Sequence, residues 1–442
     1  MALTRRELLR GALLLGSAAA IGTTAGCAPG ASTTPITSGP VDLLLWTHDE
    51  GYMKFFEGSL DLAASLTPYE YSLRSTRIGA TDLVTKLIAQ AVAGQGTPDI
   101  AGLELGNFAR LLRGELAPEL LAPLDDAVAD VRDDLIEARL APFTHDGSLY
   151  ALDSDVPMVV YYRRDDLFAE LGVPTEADSW EDFASFGKGF YEKTGRSLGA
   201  VATGTDLGQV MQIFWMLLLQ RGGGLFDADG ELAIETPEAE EVLTFLVDGV
   251  QSGFLTTVSD FYGPSMQTAL KDGTVIGLWM ANWYEAYGLK PNVPEQAGSW
   301  RIGPLPPFQG GGGRTSVGGG TGFAAISGSV KTDAATGLVT AAYLEPEQQV
   351  RRFTELGYLP TRRSVYADER LLASEDEYLG GQRAFEVFAS LVDDAPPVYL
   401  SADILILQTA LSGALVDAYR GRKRPSEALS DAAATFRSQA SR

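Results

Sequence analysis

One cysteine, Cys27, and two histidines, His48 and His145, are all that 442 residues offer of the side chains that most often hold transition metals. A lone cysteine excludes an internal disulfide, and so poor a supply of soft ligands argues against a zinc enzyme; no metal and no cofactor is expected. Basic residues are outnumbered, 34 lysines and arginines against 58 aspartates and glutamates, for a net charge of −24. That field repels phosphate backbones and anionic headgroups, which excludes nucleic acid and peripheral membrane binding as expected roles. The apolar stretch from Gly11 to Ile21 is shorter than the roughly 20 residues a spanning helix needs.

What is present at the N-terminus has the order of an export signal. Arg5-Arg6 is followed by the apolar stretch and then by small residues ending in Ala25-Gly26-Cys27, so residues 1–26 are expected to be a twin-arginine signal peptide. Thr24-Ala25-Gly26-Cys27 resembles a lipobox, with Thr24 where leucine is usual, and implies acylation of Cys27. Residues 27–40, rich in Pro, Ser, Thr and Gly, read as a linker from that anchor. The expected location is the outer face of the cell membrane, with membrane contact through the lipid alone.

The remainder, 45% hydrophobic and 9% aromatic, is of globular composition and long enough for two cores with a cleft between them. Val41 to Trp46 and Tyr69 to Ser75 read as strands, Tyr52 to Leu66 and Asp82 to Ala93 as helices, and Asp99 to Leu103 as a third strand. This alternation predicts a largely parallel sheet whose strand-end loops, Trp46 to Gly51 and Leu103 to Asn107, face a ligand. Asp146-Gly147 predicts a tight hairpin. Met158 to Arg163 carries the chain into a second, mainly helical region, with helices at Leu207 to Gln220 and Pro237 to Gln251. A Gly-rich run ending in Phe323-Ala324-Ala325-Ile326 marks a return, and Gly357 to Thr361 marks a further crossing. The expected lobes are therefore 41–157 with 317–360 and 158–316 with 361–442, joined by a hinge able to close on a ligand.

Leu44-Leu45-Trp46-Thr47, Pro98-Asp99-Ile100, Tyr150-Ala151-Leu152, Tyr161-Tyr162-Arg163, Ser179-Trp180-Glu181-Asp182-Phe183 and Gly357-Tyr358-Leu359-Pro360-Thr361 together resemble the extracellular solute-binding proteins of the family that contains the maltose-binding protein. The resemblance runs from Cys27 onward. It implies an α/β, two-lobed periplasmic-binding-protein-like fold, a monomer that takes a carbohydrate into its cleft, and delivery to the permease subunits of an ABC transporter, without catalysis. It further implies ligand contacts from Trp46, His48, Asp49 and Glu50 in the first loop, from Glu104 and Asn107 in the second, and from Asp155, or Asp153 if the loop is shifted. On the second lobe it implies Asp206 and Gln209, the stretch Trp279, Asn282, Trp283 and Tyr284 with Trp283 as the stacking residue, the backbone at Gly319 and Gly320, and Tyr399 and Asp403. Carboxylates suit the hydroxyl rim of a sugar and an aromatic plane suits its apolar face.

Other motifs weaken on inspection. Asp227-Ala228-Asp229-Gly230 lacks the later ligands of a calcium loop and reads as a turn; Gly310 to Gly313 lacks the Lys-Ser/Thr of a phosphate loop. Trp180, Trp215 and Trp300 read as core. A secreted hydrolase using two carboxylates remains the alternative, as does a ligand-free adhesin, and a cationic ligand held by acids and aromatics ranks below a neutral sugar.

Overall fold

The computed structural model of the chain describes residues 34–440, so the expected signal peptide and Cys27 lie outside the described residues. The compact unit that begins at Ile36 contains thirteen strands among the described residues. In chain order they are β1 Gly39–Thr47, β2 Tyr69–Arg77, β3 Ile100–Glu104, β4 Thr144–His145, β5 Ser148–Leu149, β6 Leu152–Asp153, β7 Met158–Arg164, β8 Gly199–Ala202, β9 Leu255–Val258, β10 Gly277–Ala281, β11 Trp300–Gly303, β12 Ser316–Val317 and β13 Thr321–Ala325.

Two main sheets organise the molecule. The first runs β2-β1-β3-β13-β6, with β1 parallel to both β2 and β3 and with β13 antiparallel to β3 and β6. The second runs β10-β7-β11, all antiparallel, with β12 also paired to β7. The expected largely parallel sheet thus holds only for β1, β2 and β3. Its other strands arrive late in the chain or after the hairpin, where the order of elements says nothing about direction. The chain passes between the two sheets after β6 and again between β12 and β13.

Local chemistry explains most boundaries. The predicted helix Tyr52 to Leu66 is broken into Glu50–Glu57 and Leu60–Leu66, because Gly58 ends the first and Ser59 turns its hydroxyl back to the Phe55 carbonyl at 2.7 Å. Asp146 (φ 49°) and Gly147 (φ 84°) both adopt left-handed backbone, as the two-residue hairpin between β4 and β5 requires. Ser179 caps the helix Trp180–Thr194 by accepting from the Asp182 N–H at 3.1 Å. Asp227 forms the expected turn, accepting from the N–H groups of Asp229 and Glu231.

Each sheet has its own aromatic core. Under the first, Phe323 stacks on Tyr343 at 5.1 Å, with Phe56 at 4.9 Å from Phe323. Beside the second, Trp180 packs edge-on against Trp279 at 4.8 Å, its indole N–H donating to Gln220 at 2.9 Å. Trp180 and Trp300 are fully buried, and each large side chain so buried contributes roughly 1.5–3 kcal/mol.

Candidate functional site

A cavity of about 490 Å³ lies where the C-terminal ends of β1 and β3 face the helix Leu207–Gln220 and the turn after β10. Three glycines build its floor. Gly318 offers its carbonyl to the Trp283 indole N–H at 2.8 Å, and Gly319 offers its carbonyl to Arg139 Nη2 at 3.1 Å. Gly320 holds φ at 127°, and a Cβ there would meet Arg139 Nη2 at 2.2 Å. The missing side chain therefore lets Arg139 reach the buried carboxylate of Asp153, bonded through Nε at 2.7 Å. The Gly320 carbonyl accepts from Leu105 N–H at 2.9 Å, tying the floor to the end of β3.

One wall is polar. Asp49 caps the helix Glu50–Glu57, Oδ1 accepting from Gly51 N–H at 2.7 Å. Glu104 accepts from both the backbone N–H (3.2 Å) and the side-chain amide (3.0 Å) of Asn107, so the amide nitrogen is fixed and Asn107 Oδ1 is left without a protein partner. Burial raises the Glu104 carboxyl above its ordinary value against these hydrogen bonds. Burial likewise raises Asp155, opposed by Arg139 and by the Ser154 hydroxyl, which donates at 3.0 Å. His48 is pushed down by burial, against the pull of Asp49, so its imidazole is neutral near pH 7, and its Nδ1 has no protein partner.

The opposite wall is aromatic and aliphatic. Trp283 is half-buried with Tyr262 at 6.1 Å between ring centroids, and Met211, Trp215, Met216, Ile404 and Leu405 extend the surface. Its polar groups are largely engaged within the wall. Asp206 caps the helix Leu207–Gln220 and accepts from Gln209 Nε2 at 2.9 Å, while Gln212 accepts from Tyr262 at 3.1 Å. No lysine or arginine is among the described residues that line the cavity.

The structure brings ten of the expected site residues to this cavity: His48, Asp49, Glu104, Asn107, Asp155, Asp206, Gln209, Trp283, Gly319 and Gly320. The others it does not. Trp46 is buried in the first core with the Lys86 ammonium 4.5 Å above its ring, and exposed Glu50 pairs with Arg77 at 3.1 Å. Trp279 lies in the second core against Trp180, on a strand, β10, whose residues are all buried. Tyr284 is fully buried and donates to the Phe261 carbonyl at 2.8 Å; Asn282 donates to the Gly357 carbonyl at 2.8 Å, bracing the expected crossing segment. Tyr399 is exposed away from the cavity, and Asp403 is bonded to Arg113. Asp153, the alternative to Asp155, is buried beneath the floor with Arg139.

Sequence reasoning missed Tyr52, Tyr262, Tyr287, Tyr358 and Gln212, and it assigned Trp215 to the core although that residue lines the cavity. For the helix a signal existed. From Gln209, helical spacing leads directly to Gln212 and Met216 on the same face.

The profile of the family described as bacterial extracellular solute-binding protein matches residues 74–349, more than half of the chain. The chain belongs to that family. It is 29% identical over 373 residues to an arabinooligosaccharide-binding protein of Halalkalibacterium halodurans, covering 82% of this chain and 81% of that one. To an arabinooligosaccharide-binding protein of Bacillus subtilis it is 26% identical, covering 92% and 94%. Among solved structures, the cyclic alpha-maltosyl-1,6-maltose binding protein of Arthrobacter globiformis superposes with a TM-score of 0.75 at 22% identity, covering 90% of this chain and 99% of that one. The lacto-N-biose-bound protein of Bifidobacterium longum gives 0.72 at 18% identity, covering 90% and 96%. The expected two-lobed α/β fold therefore holds. A secreted hydrolase finds no support among these relatives.

Proposed function

We propose that this protein is the carbohydrate-binding component of an ABC importer, taking a neutral oligosaccharide into the cleft and presenting the closed form to the permease. The observation that carries the reading is the pairing of walls: aromatic planes on one side, carboxylates and an amide oxygen on the other, with no cation among the described lining residues. Sugar rings fit such a pair, apolar face to tryptophan and hydroxyls to acceptors. An acidic sugar meets carboxylates and finds no lysine or arginine among the described lining residues, so uronates are disfavoured.

The relatives' names make arabinose oligomers the first ligands to try. Asp49, Glu104, Asn107 and Asp155 act as hydroxyl acceptors and Trp283 as the stacking plane. The lobes change over near residues 157, 317 and 360. Export by the twin-arginine signal and acylation of Cys27 keep the monomer on the outer face of the membrane, and no bond in the ligand is broken. A thermal-shift screen of arabinotriose, maltotriose and galacturonate oligomers tests the reading, since a ligand of the native state raises the melting temperature. Neutral trisaccharides raise it and uronates leave it unchanged. A shift with galacturonates alone, or recovery of cleaved sugar, would overturn the proposal.

A further inference from the structure

Tyr287 belongs to a single π-type turn, Glu285–Leu289, directly after β10, a geometry that recurs at functional positions. Its ring is 43% exposed, yet its hydroxyl is not spent on solvent. It donates to Asp49 Oδ2 at 3.1 Å and lies 2.9 Å from the Tyr358 hydroxyl. Tyr287 follows β10, an edge strand of the second sheet, whereas Asp49 follows β1 of the first sheet, so the bond crosses the cleft. Tyr358 sits on the expected crossing segment itself, with the Tyr52 ring 5.3 Å away. Tyr52 is in turn hydrogen-bonded to Ser154 at 3.0 Å, and Ser154 to Asp155 at 3.0 Å. Polar contacts thus run from the cleft mouth at Asp49 to a second crossing at Asp155, through side chains of both lobes.

Resting on the solute-binding reading, we propose that Tyr287 is a positioning residue: its hydroxyl latches the two lobes through Asp49 and Tyr358, so that part of the drive for closure is built into the protein and does not come from the ligand. Asp49 suits the role because its two oxygens are divided, Oδ1 to the helix cap and Oδ2 to the latch. Population of the closed form before binding raises apparent affinity by the fraction closed, and loss of the latch shows first in release.

The test uses the full chain and begins without ligand. Tyr287→Phe removes only the hydroxyl; Asp49→Ser keeps a helix cap but cannot reach Tyr287. Small-angle scattering of the ligand-free proteins is expected to give a larger radius of gyration for each variant than for wild type, with the double variant no larger than either. Arabinotriose release, followed by stopped flow, quickens about tenfold in Tyr287→Phe, as expected for loss of one charge-assisted bond. Unchanged ligand-free dimensions in both single variants, or additive effects in the double one, overturn the latch. Failure of wild type to bind any oligosaccharide overturns the function instead, and the ligand-free scattering still decides the latch.

Discussion

The two walls of the cleft are made in different ways. On the first lobe, side chains stand on loops at the ends of parallel strands; His48 and Asn107 line the cavity, with Asn107 Oδ1 and His48 Nδ1 buried and without protein partners. On the second lobe, they stand on a helix and a turn, Asp206 and Gln209 are occupied with each other and with backbone, Gln212 is held by Tyr262 and Met280, and rings and thioethers face the cleft. The difference teaches a division of labour. On the proposed reading, the aromatic wall supplies contact area that tolerates many sugars, and the polar wall, whose acceptors are fixed by caps and by the Glu104–Asn107 pair, discriminates among them.

Breaking the aromatic wall should have the largest effect. Trp283→Ala removes a ring held at a fixed angle by Gly318, and an anchor of this kind is worth ~2 kcal/mol or more. Calorimetry is therefore expected to show affinity for a neutral oligosaccharide falling about thirtyfold or more, across all sugars alike. A loss restricted to one sugar would reverse the roles of the walls.

Breaking the polar wall should be milder and selective. Glu104→Gln lets the Asn107 amide turn over, because a glutamine can donate as well as accept. Affinity for the preferred sugar is expected to fall about tenfold, with little change for its epimers, a ratio read from competition titrations. Equal losses for all sugars would assign Glu104 a structural role only.

A third variant concerns what lies behind the aromatic wall. Glu285 is pushed up to about 7 by burial, with Asp376 adding to the shift and Lys290 opposing it. Because the folded value lies above the ordinary 4.5, this group's stabilising contribution is present below pH 4.5 and is lost as pH rises through about 7. Glu285→Gln is expected to flatten the melting temperature between those limits and to raise it at pH 8. An unaltered profile would refute the burial argument. The smallest effect is expected at Tyr399, which is exposed outside the cavity: Tyr399→Ala should leave sugar affinity within about twofold in the same titrations.

The polar wall was the more legible of the two in the sequence. Strand-end loops are where parallel sheets present ligands, so strand assignment points to the two loops, and the family resemblance picks out His48, Asp49, Glu104 and Asn107 there, along with Trp46 and Glu50, which do not line the cavity. The aromatic wall was less so. The helix Leu207–Gln220 is apolar nearly all round, and periodicity alone cannot say which of its faces meets a core and which meets the cleft, so Trp215 was read as core. All five residues of β10 are buried, Trp279 against Trp180, and the chain has left the strand before Trp283. Tyr287 and Tyr358 gave no signal, because their pairing spans 71 residues and exists only once the lobes meet.

The central claim is that the cleft takes a neutral sugar and leaves it intact. The most direct measurement is titration of the full chain with arabinotriose in a calorimeter, followed by recovery of the sugar and analysis of its chain length. The account predicts saturable binding at one site, lost in Trp283→Ala, with the trisaccharide recovered whole; shortened sugar, or saturable binding that persists unchanged in Trp283→Ala, would contradict it.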